Sequence, residues 1–551
     1  MSVDLLSRIK SDLAVGKTAA ALKRAQKEAK KQPKNAALQN AAGICMTHAK
    51  GNRDAIPYFQ KAVKLAPGNL EFNFNYVQAL ASGGYPEKAR KLADGLLEKH
   101  GGQPRLYYIL AHTCFAQSDF LGTIDWATRA IAGQKSMIEA YDLRGKAYTE
   151  LNRSEDALAD FRAMLKRDPH NRQAMLNAAY HLNELGRQEE SCEIYKRAFA
   201  QNPGKVSPLF ALSKLEKKSE LPKMLNVLRD RLQNTDLGRG ERMTLLFATA
   251  NVLDRLGEKV ESMEMFDQAQ AIATRMRPYD MGPWRRELER TKALFPSVPD
   301  FDMPEDEPKP IFVVGQPRSG TTLLEMMLTR PQGVAPMGEL TAGLRLYGKY
   351  FADAEAVSAD MVRNFAADFR AELPPVPEGT IAFVDKNPFN YRHIGLLLAA
   401  FPNAAIINLA RDPRDVALSM WKQNFSSDTM NFARRMKGIA EHANLYREYI
   451  RHWESVCADR FITVNYADLV SDPQDQTRRI SEFVGLDWSE EMVHPEANTA
   501  RVRTASINQV RQKVHTKSIG AWQAHADRLR EMVRELDPAL WPEVEGAGGR
   551  G

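Results

Sequence analysis

Apolar positions follow two different patterns along the chain. Up to about residue 290, small and aromatic residues recur at fixed offsets and a proline closes the unit, at Pro33, Pro67, Pro169 and Pro203, with intervals of 34, 102 and 34 residues. In the unit ending at Pro67 these residues are Gly43, Ala55, Phe59 and Ala62. In the one ending at Pro169 they are Tyr141, Gly145, Tyr148, Ala157 and Phe161. Ala89, Tyr107, Ala130, Tyr195 and Ala198 keep the same phase in weaker units. Small residues let two crossed helices approach closely and an aromatic ring fills the space between them, so the pattern predicts stacked helix-turn-helix units. After Pro310 the pattern changes to short apolar runs, fully apolar at Ile311–Val314 and Ile381–Val384 and largely so at Ala404–Leu409 and Phe461–Val464. Runs of this kind predict buried parallel strands.

All three intervals are multiples of 34 residues, the tetratricopeptide period. A further helical pair around Arg242–Ala271, with Phe266 and Ala269, is out of phase and reads as a degenerate or capping repeat. Phe295–Pro310 holds five prolines among acids and reads as a stiff linker. The expected architecture is an all-α tetratricopeptide solenoid followed by an α/β three-layer domain with a P-loop-like parallel sheet. The expected boundaries are 1–290 for the array, 291–310 for the linker, 311–540 for the α/β domain and 541–551 for a flexible tail.

Composition narrows the function classes. With 44% apolar and 26% charged residues in 551, the chain can bury a sizeable core. The longest clean apolar run, Ile394–Phe401, is far short of the ~18 residues a membrane helix needs. The first ten residues, MSVDLLSRIK, lack a charged stretch followed by an apolar one, so a cytoplasmic protein without membrane insertion is expected. Four widely spaced cysteines and no CxxC pair argue against a disulfide framework or a cysteine-rich zinc site. The net charge of +7, without a long basic block, suits an anionic small ligand and not a nucleic acid.

Gly315-Gln316-Pro317-Arg318-Ser319-Gly320-Thr321-Thr322 follows the first apolar run and precedes a helical stretch. Strand, glycine loop and helix start form an anion cradle, because successive backbone N–H groups and the helix N-terminus point at the ligand. The spacing matches the nucleotide-triphosphate loop except that Thr321 stands in the place of its lysine, which disfavours a kinase or ATPase. Arg318 supplies a cation earlier in the loop. Polar residues cluster after the other runs too, at Asp385-Lys386-Asn387-Pro388, Arg411-Asp412-Pro413-Arg414-Asp415 and Asn465-Tyr466-Ala467-Asp468. The carboxyl edge of an open α/β sheet is where ligands bind.

Together these segments, over about Pro310–Trp522, resemble the protein-tyrosine sulfotransferase-like branch of the sulfotransferase family. PRSGTT at 317–322 is similar to its 5′-phosphosulfate loop. RDPRDVALSM at 411–420 is similar to the segment whose arginine and serine, here Arg411 and Ser419, hold a 3′-phosphate. The resemblance implies 3′-phosphoadenosine-5′-phosphosulfate (PAPS) as donor, with no metal. It puts Arg318, Ser319, Gly320, Thr321 and Thr322 on the phosphosulfate, and Tyr466 and Ser506 on the nucleotide. Lys386 and Arg318 would neutralise charge on the transferring group, and Glu339, in MGEL, would act as catalytic base.

These residue types suit the chemistry. In-line sulfuryl transfer spreads charge over equatorial oxygens, which positioned cations stabilise, and a carboxylate can take the acceptor's proton. Glu339 can also be read as a solvated or capping carboxylate, Lys386 as the partner of Asp385, and Tyr466 as packing. Arg414, Asp412 and Asp415 read as loop-orienting salt bridges, and His393 and His515 as structural. In one place the chain departs from the branch: beside Trp522 the branch has a lysine and this chain has Ala521. Arg511, Lys513 and Lys517 are candidates to replace its charge. The branch's animal members also carry a membrane anchor, which is not seen here, so a bacterial-type enzyme is expected. The leading expectation is transfer to a tyrosine of a protein or peptide recruited by the repeat array, with a homodimer as one arrangement. The alternatives are a glycan, lipid or small-alcohol acceptor, or a repeat scaffold with a non-catalytic nucleotide-binding domain.

Overall fold

The structure, a computed structural model, describes residues 2–14, 16–305, 308–425, 427–498 and 513–546. The chain divides into two compact units, Met1–Ala174 and Met175–Gly551.

The first unit is a succession of antiparallel helix pairs, from Ser2–Ala14 to Ser154–Arg167. Pro33, Pro67 and Pro169 each sit in the turn after the second helix of a pair. Two residues later an asparagine starts the next helix: the side-chain oxygens of Asn35, Asn69 and Asn171 accept from Leu38 N, Phe72 N and Ala174 N. The cap satisfies a backbone donor that has no partner within the helix. The small-to-aromatic contacts fall where the repeat pattern puts them. A Cβ on Gly43 would lie 2.6 Å from the Phe59 ring and one on Gly145 2.9 Å from Phe161. Ala55, Ala62 and Ala157 are completely buried.

The second unit contains a five-stranded, wholly parallel sheet in the order β2-β3-β1-β4-β5. Its strands are β1 (Lys309–Gly315), β2 (Val334–Gly338), β3 (Ala382–Asp385), β4 (Ala405–Ala410) and β5 (Phe461–Asn465). Side chains alternate between two covered faces. Ile311, Val313, Val384 and Ile407 pack against helices Thr321–Leu328 and Pro473–Val484. Phe312, Val314, Phe383 and Ile406 pack against Ala359–Ala371, Ile394–Ala400 and Met436–Val456. Burial on both faces is why most of these strands read as largely apolar runs. β2 was not expected from the sequence. It is an edge strand and tolerates Pro336, with a register shift between Pro336 and Gly338.

Two expected boundaries differ from the structure. Phe295, in the stretch read as a linker, is buried against Trp453 and Gly395, and Val298, Phe301 and Met303 pack on the same core. Trp541 and Val544, in the expected tail, are buried as well. The helices Arg239–Leu256 and Lys259–Met276 share a core with the helix Pro413–Trp421 through Phe247, Phe266, Val416 and Met420.

Candidate active site

The loop after β1 is shaped by two residues with positive φ, Arg318 at 73° and Gly320 at 109°. Gly320 is required twice over, because a Cβ there would lie 2.5 Å from the Tyr466 ring. Gln316, Ser319, Thr321 and Thr322 are buried. Among the described residues, Ser319 Oγ and Gln316 Nε2 find no hydrogen-bond partner. Buried polar atoms are ordinarily paired, so these two, beside a helix N-terminus, suit an anionic group such as the phosphosulfate of PAPS.

Arg411, following β4, ties the loop to two other segments. Its Nη1 donates to Arg318 O at 3.1 Å and its Nη2 to Ser518 O at 2.8 Å, while the guanidinium lies 4.3 Å over the Tyr466 ring. Tyr466 Oη and Ser518 Oγ are 2.7 Å apart. Arg318 Nε donates to Ser419 Oγ at 3.0 Å. Burial, and then the neighbouring charge of Arg411, lowers the Arg318 pKa to about 10. Asp412 pairs with Arg414, whose guanidinium stacks 3.7 Å over Trp522, and Asp415 accepts from Gly520 N and Trp522 N. These acids therefore hold the 520–522 turn in place. A cavity of about 620 Å³ opens beside Arg411 and Tyr466 and is bounded by Arg414, Trp522, Arg447 and Trp541.

Glu339 follows the edge strand β2 and Lys386 follows β3. Lys386 Nζ donates to Glu339 Oε1 at 2.7 Å. Asp385 is not the partner of Lys386; its carboxylate oxygens accept from Leu340 N at 3.3 Å and Asn390 Nδ2 at 2.9 Å. The backbone around Glu339 is clamped on each side: Gly338 N donates to Glu325 Oε1, Gly338 O accepts from Lys386 N, and Leu340 O accepts from Asn387 Nδ2. Burial raises the Asp385 pKa to about 8.

The structure thus brings Arg318, Ser319, Gly320, Thr321, Thr322, Arg411, Ser419 and Tyr466 to one loop cluster, and holds Glu339 against Lys386 at the carboxyl edge of the same sheet. Ser506 and Arg511 lie outside the described residues. Lys513 and Lys517 are exposed, and His393 is buried and stacked on Tyr347. Ser518, Glu325 and Asn387 were not singled out from the sequence. Ser518 receives Arg411 through its carbonyl, while the side chains of Glu325 and Asn387 bond Gly338 N and Leu340 O, contacts between distant segments that leave no motif. Among the described residues no cluster of His, Cys, Asp and Glu is arranged to hold a metal, and no helix is long and apolar enough to cross a membrane.

Comparison with known proteins agrees with this architecture. The sulfotransferase family model matches residues 310–490, and tetratricopeptide-repeat models match 6–69, 48–112 and 143–205. The chain joins tetratricopeptide repeats to a C-terminal domain of the sulfotransferase family. It is 27% identical over 452 residues to an uncharacterised protein of Aquifex aeolicus, covering 78% of this chain and 59% of that one. Protein-tyrosine sulfotransferase 2 of Gallus gallus is 25% identical over 259 residues, 40% of this chain and 66% of the relative. The omega-hydroxy-beta-dihydromenaquinone-9 sulfotransferase Stf3 of Mycobacterium tuberculosis is 31% identical over 108 residues, 18% of this chain and 28% of the relative. The chain therefore spans less than two thirds of the length of these three relatives.

Proposed function

We propose that this protein is a PAPS-dependent sulfotransferase that moves a sulfuryl group to the hydroxyl of a tyrosine in a protein or peptide. The observation that carries this reading is the Glu339–Lys386 pair at the same sheet edge as a loop with buried, unpartnered polar atoms. PAPS, when bound, supplies an activated sulfuryl group on a nucleotide bearing 5′- and 3′-phosphates. Arg318, Ser319, Gly320, Thr321 and Thr322 would hold the phosphosulfate, and Arg411, Ser419, Tyr466 and Ser506 the nucleotide and its 3′-phosphate. Glu339, partly exposed, accepts the proton of the acceptor hydroxyl. Lys386 orients that carboxylate and presents a cation to the charge that develops on the transferring oxygens, with Arg318 as a second cation. A tyrosine hydroxyl, with a reference pKa of about 10, is easier for a carboxylate to activate than an aliphatic alcohol. The repeats would recruit the polypeptide that carries it, as helical solenoids commonly do.

The match to Stf3, whose name records a hydroxylated menaquinone acceptor, favours a second reading with the same donor and residues but a lipid or other alcohol as acceptor. Incubating the protein with radiolabelled PAPS and cell lysate separates them. Label in protein that survives base and is lost in acid supports tyrosine. Label that extracts into organic solvent supports a lipid. No transfer to any fraction overturns both.

A further inference from the structure

The helix Ser207–Leu215 lies outside the residues matched by the sulfotransferase family model. Leu209 and Leu212 bury its apolar side against Leu245, Ala248 and Val252. Its last turn is held by Arg255 Nη1, which donates to Ser213 O at 2.9 Å, and by Asn251 Nδ2, which donates to Ser213 Oγ at 3.2 Å. The direction of the next residue, Lys214, is thereby fixed. Its ammonium lies 4.7 Å over the Phe210 ring and donates to Gln423 Oε1 at 3.3 Å.

Gln423 stands four residues after Ser419, two residues past the end of the helix Pro413–Trp421. Its own backbone is held in turn, its N–H donating to Met420 O at 2.9 Å. Ser419 Oγ accepts from Arg318 Nε at 3.0 Å, and Arg318 O accepts from Arg411 at 3.1 Å. Ser419, Arg318 and Arg411 therefore form one hydrogen-bonded cluster, and Lys214 is fixed near it by Gln423, just past the end of the helix that carries Ser419, within the electrostatic reach of Arg318. Burial and then Arg318 lower the Lys214 pKa to about 8, so the lysine feels the arginine's charge. Like charges gathered in a desolvated place disfavour one another, and a bound polyanion reverses that cost.

We propose that Lys214 is a donor-binding residue whose ammonium contacts the 3′-phosphate of the nucleotide beside Ser419, so that helices preceding the sulfotransferase-family domain complete its nucleotide site. This rests on the PAPS reading above. It also provides a cation from a different element in a chain that has Ala521 where the branch has lysine.

The test compares two nucleotides on the full chain by calorimetry: 3′-phosphoadenosine 5′-phosphate, and adenosine 5′-phosphosulfate, which lacks the 3′-phosphate. Wild type is measured first, and failure to bind the bisphosphate overturns the donor reading and this proposal with it. Given binding, Lys214→Met weakens the bisphosphate at least tenfold and changes the phosphosulfate less than twofold, while Lys214→Arg keeps the bisphosphate within about threefold of wild type. Unchanged bisphosphate affinity in Lys214→Met, or equal loss of both nucleotides, overturns the role of Lys214 and leaves the donor reading standing. The ratio of the two affinities within one sample does not depend on the fraction of the variant that folds.

Discussion

Lys386 and Glu339 meet at 2.7 Å, with the lysine side chain wholly buried and the carboxylate 38% exposed. The exposed partner can reach an acceptor, and the buried one cannot leave. Removing the carboxylate strands a buried cation, which is costly, whereas an amide preserves a hydrogen-bond acceptor. Glu339→Gln is therefore expected to lower kcat by about 10²–10⁴-fold, the usual worth of a general base, with 3′-phosphoadenosine 5′-phosphate affinity within about twofold of wild type. Transfer assays and calorimetry on the same preparation check this. A Glu339→Gln enzyme that turns over at the wild-type rate would remove Glu339 as the base.

Arg411 holds two segments with separate nitrogens and stacks on a tyrosine, a geometry an ammonium cannot reproduce. Arg411→Lys should weaken 3′-phosphoadenosine 5′-phosphate at least tenfold. Tyr466→Phe removes only the contact with Ser518 and keeps the ring under the guanidinium, so about fivefold is expected, in line with about 1 kcal/mol for one hydrogen bond. Titration of both variants gives the order. If Tyr466→Phe proves the more damaging, the hydroxyl has a role beyond its contact with Ser518.

Much of this arrangement is legible in the sequence, for physical reasons that differ by element. β1, β3, β4 and β5 are covered on both faces and so appear as apolar runs within a residue or two of their ends. β2 is interrupted by Pro336 and a register shift and ends in Gly338, so it lacks that signature, and Glu339 just after it is found through the resemblance alone. The repeat prolines mark the turns. The asparagines two residues after Pro33, Pro67 and Pro169 carry the same signal, as helix caps. Ser518 receives Arg411 through its carbonyl across 107 residues of sequence, a contact that any residue type makes. The proline-rich stretch misleads because Phe295 and Phe301, two aromatics among five prolines, anchor it on the core.

Asp385 gives the fold a pH dependence of definite sign. Its pKa is raised to about 8 by burial, against about 3.9 in an unfolded chain. The folded protein then binds a proton that the unfolded chain releases. This contribution to stability is complete below about pH 4, falls as pH rises from 4 to 8, and is lost above 8. Asp385→Asn cannot ionise. It should unfold at a lower temperature at pH 5, because one of its two acceptor positions becomes an amide donor facing Leu340 N or Asn390. The gap to wild type should narrow as the pH approaches 9. Thermal unfolding from pH 5 to 9 tests this, and a gap that stays constant would place the Asp385 pKa outside this range.

The last prediction concerns where the catalytic part of the chain can be cut. Composition marks the proline-rich stretch as the boundary, whereas compactness divides the chain at Ala174/Met175. Phe247, Phe266 and Ala269, all before that stretch, are buried in one core with Val416, Met420 and Phe432. Trp421 Nε1 donates to Asp267 Oδ1 at 2.8 Å, Gln270 Nε2 donates to Trp421 O at 2.8 Å, and Thr274 Oγ1 donates to Arg434 O at 2.6 Å. A fragment beginning at residue 296 exposes that core along the helix Pro413–Trp421, whose first residues follow Arg411 and which carries Ser419. Exposing several large apolar side chains at about 1.5–3 kcal/mol each costs about as much as the 5–15 kcal/mol that typically holds a domain folded. Residues 175–551 should unfold cooperatively in urea and bind 3′-phosphoadenosine 5′-phosphate. Residues 296–551 should do neither, and cooperative unfolding of the shorter fragment would restore the proline-rich stretch as the true boundary.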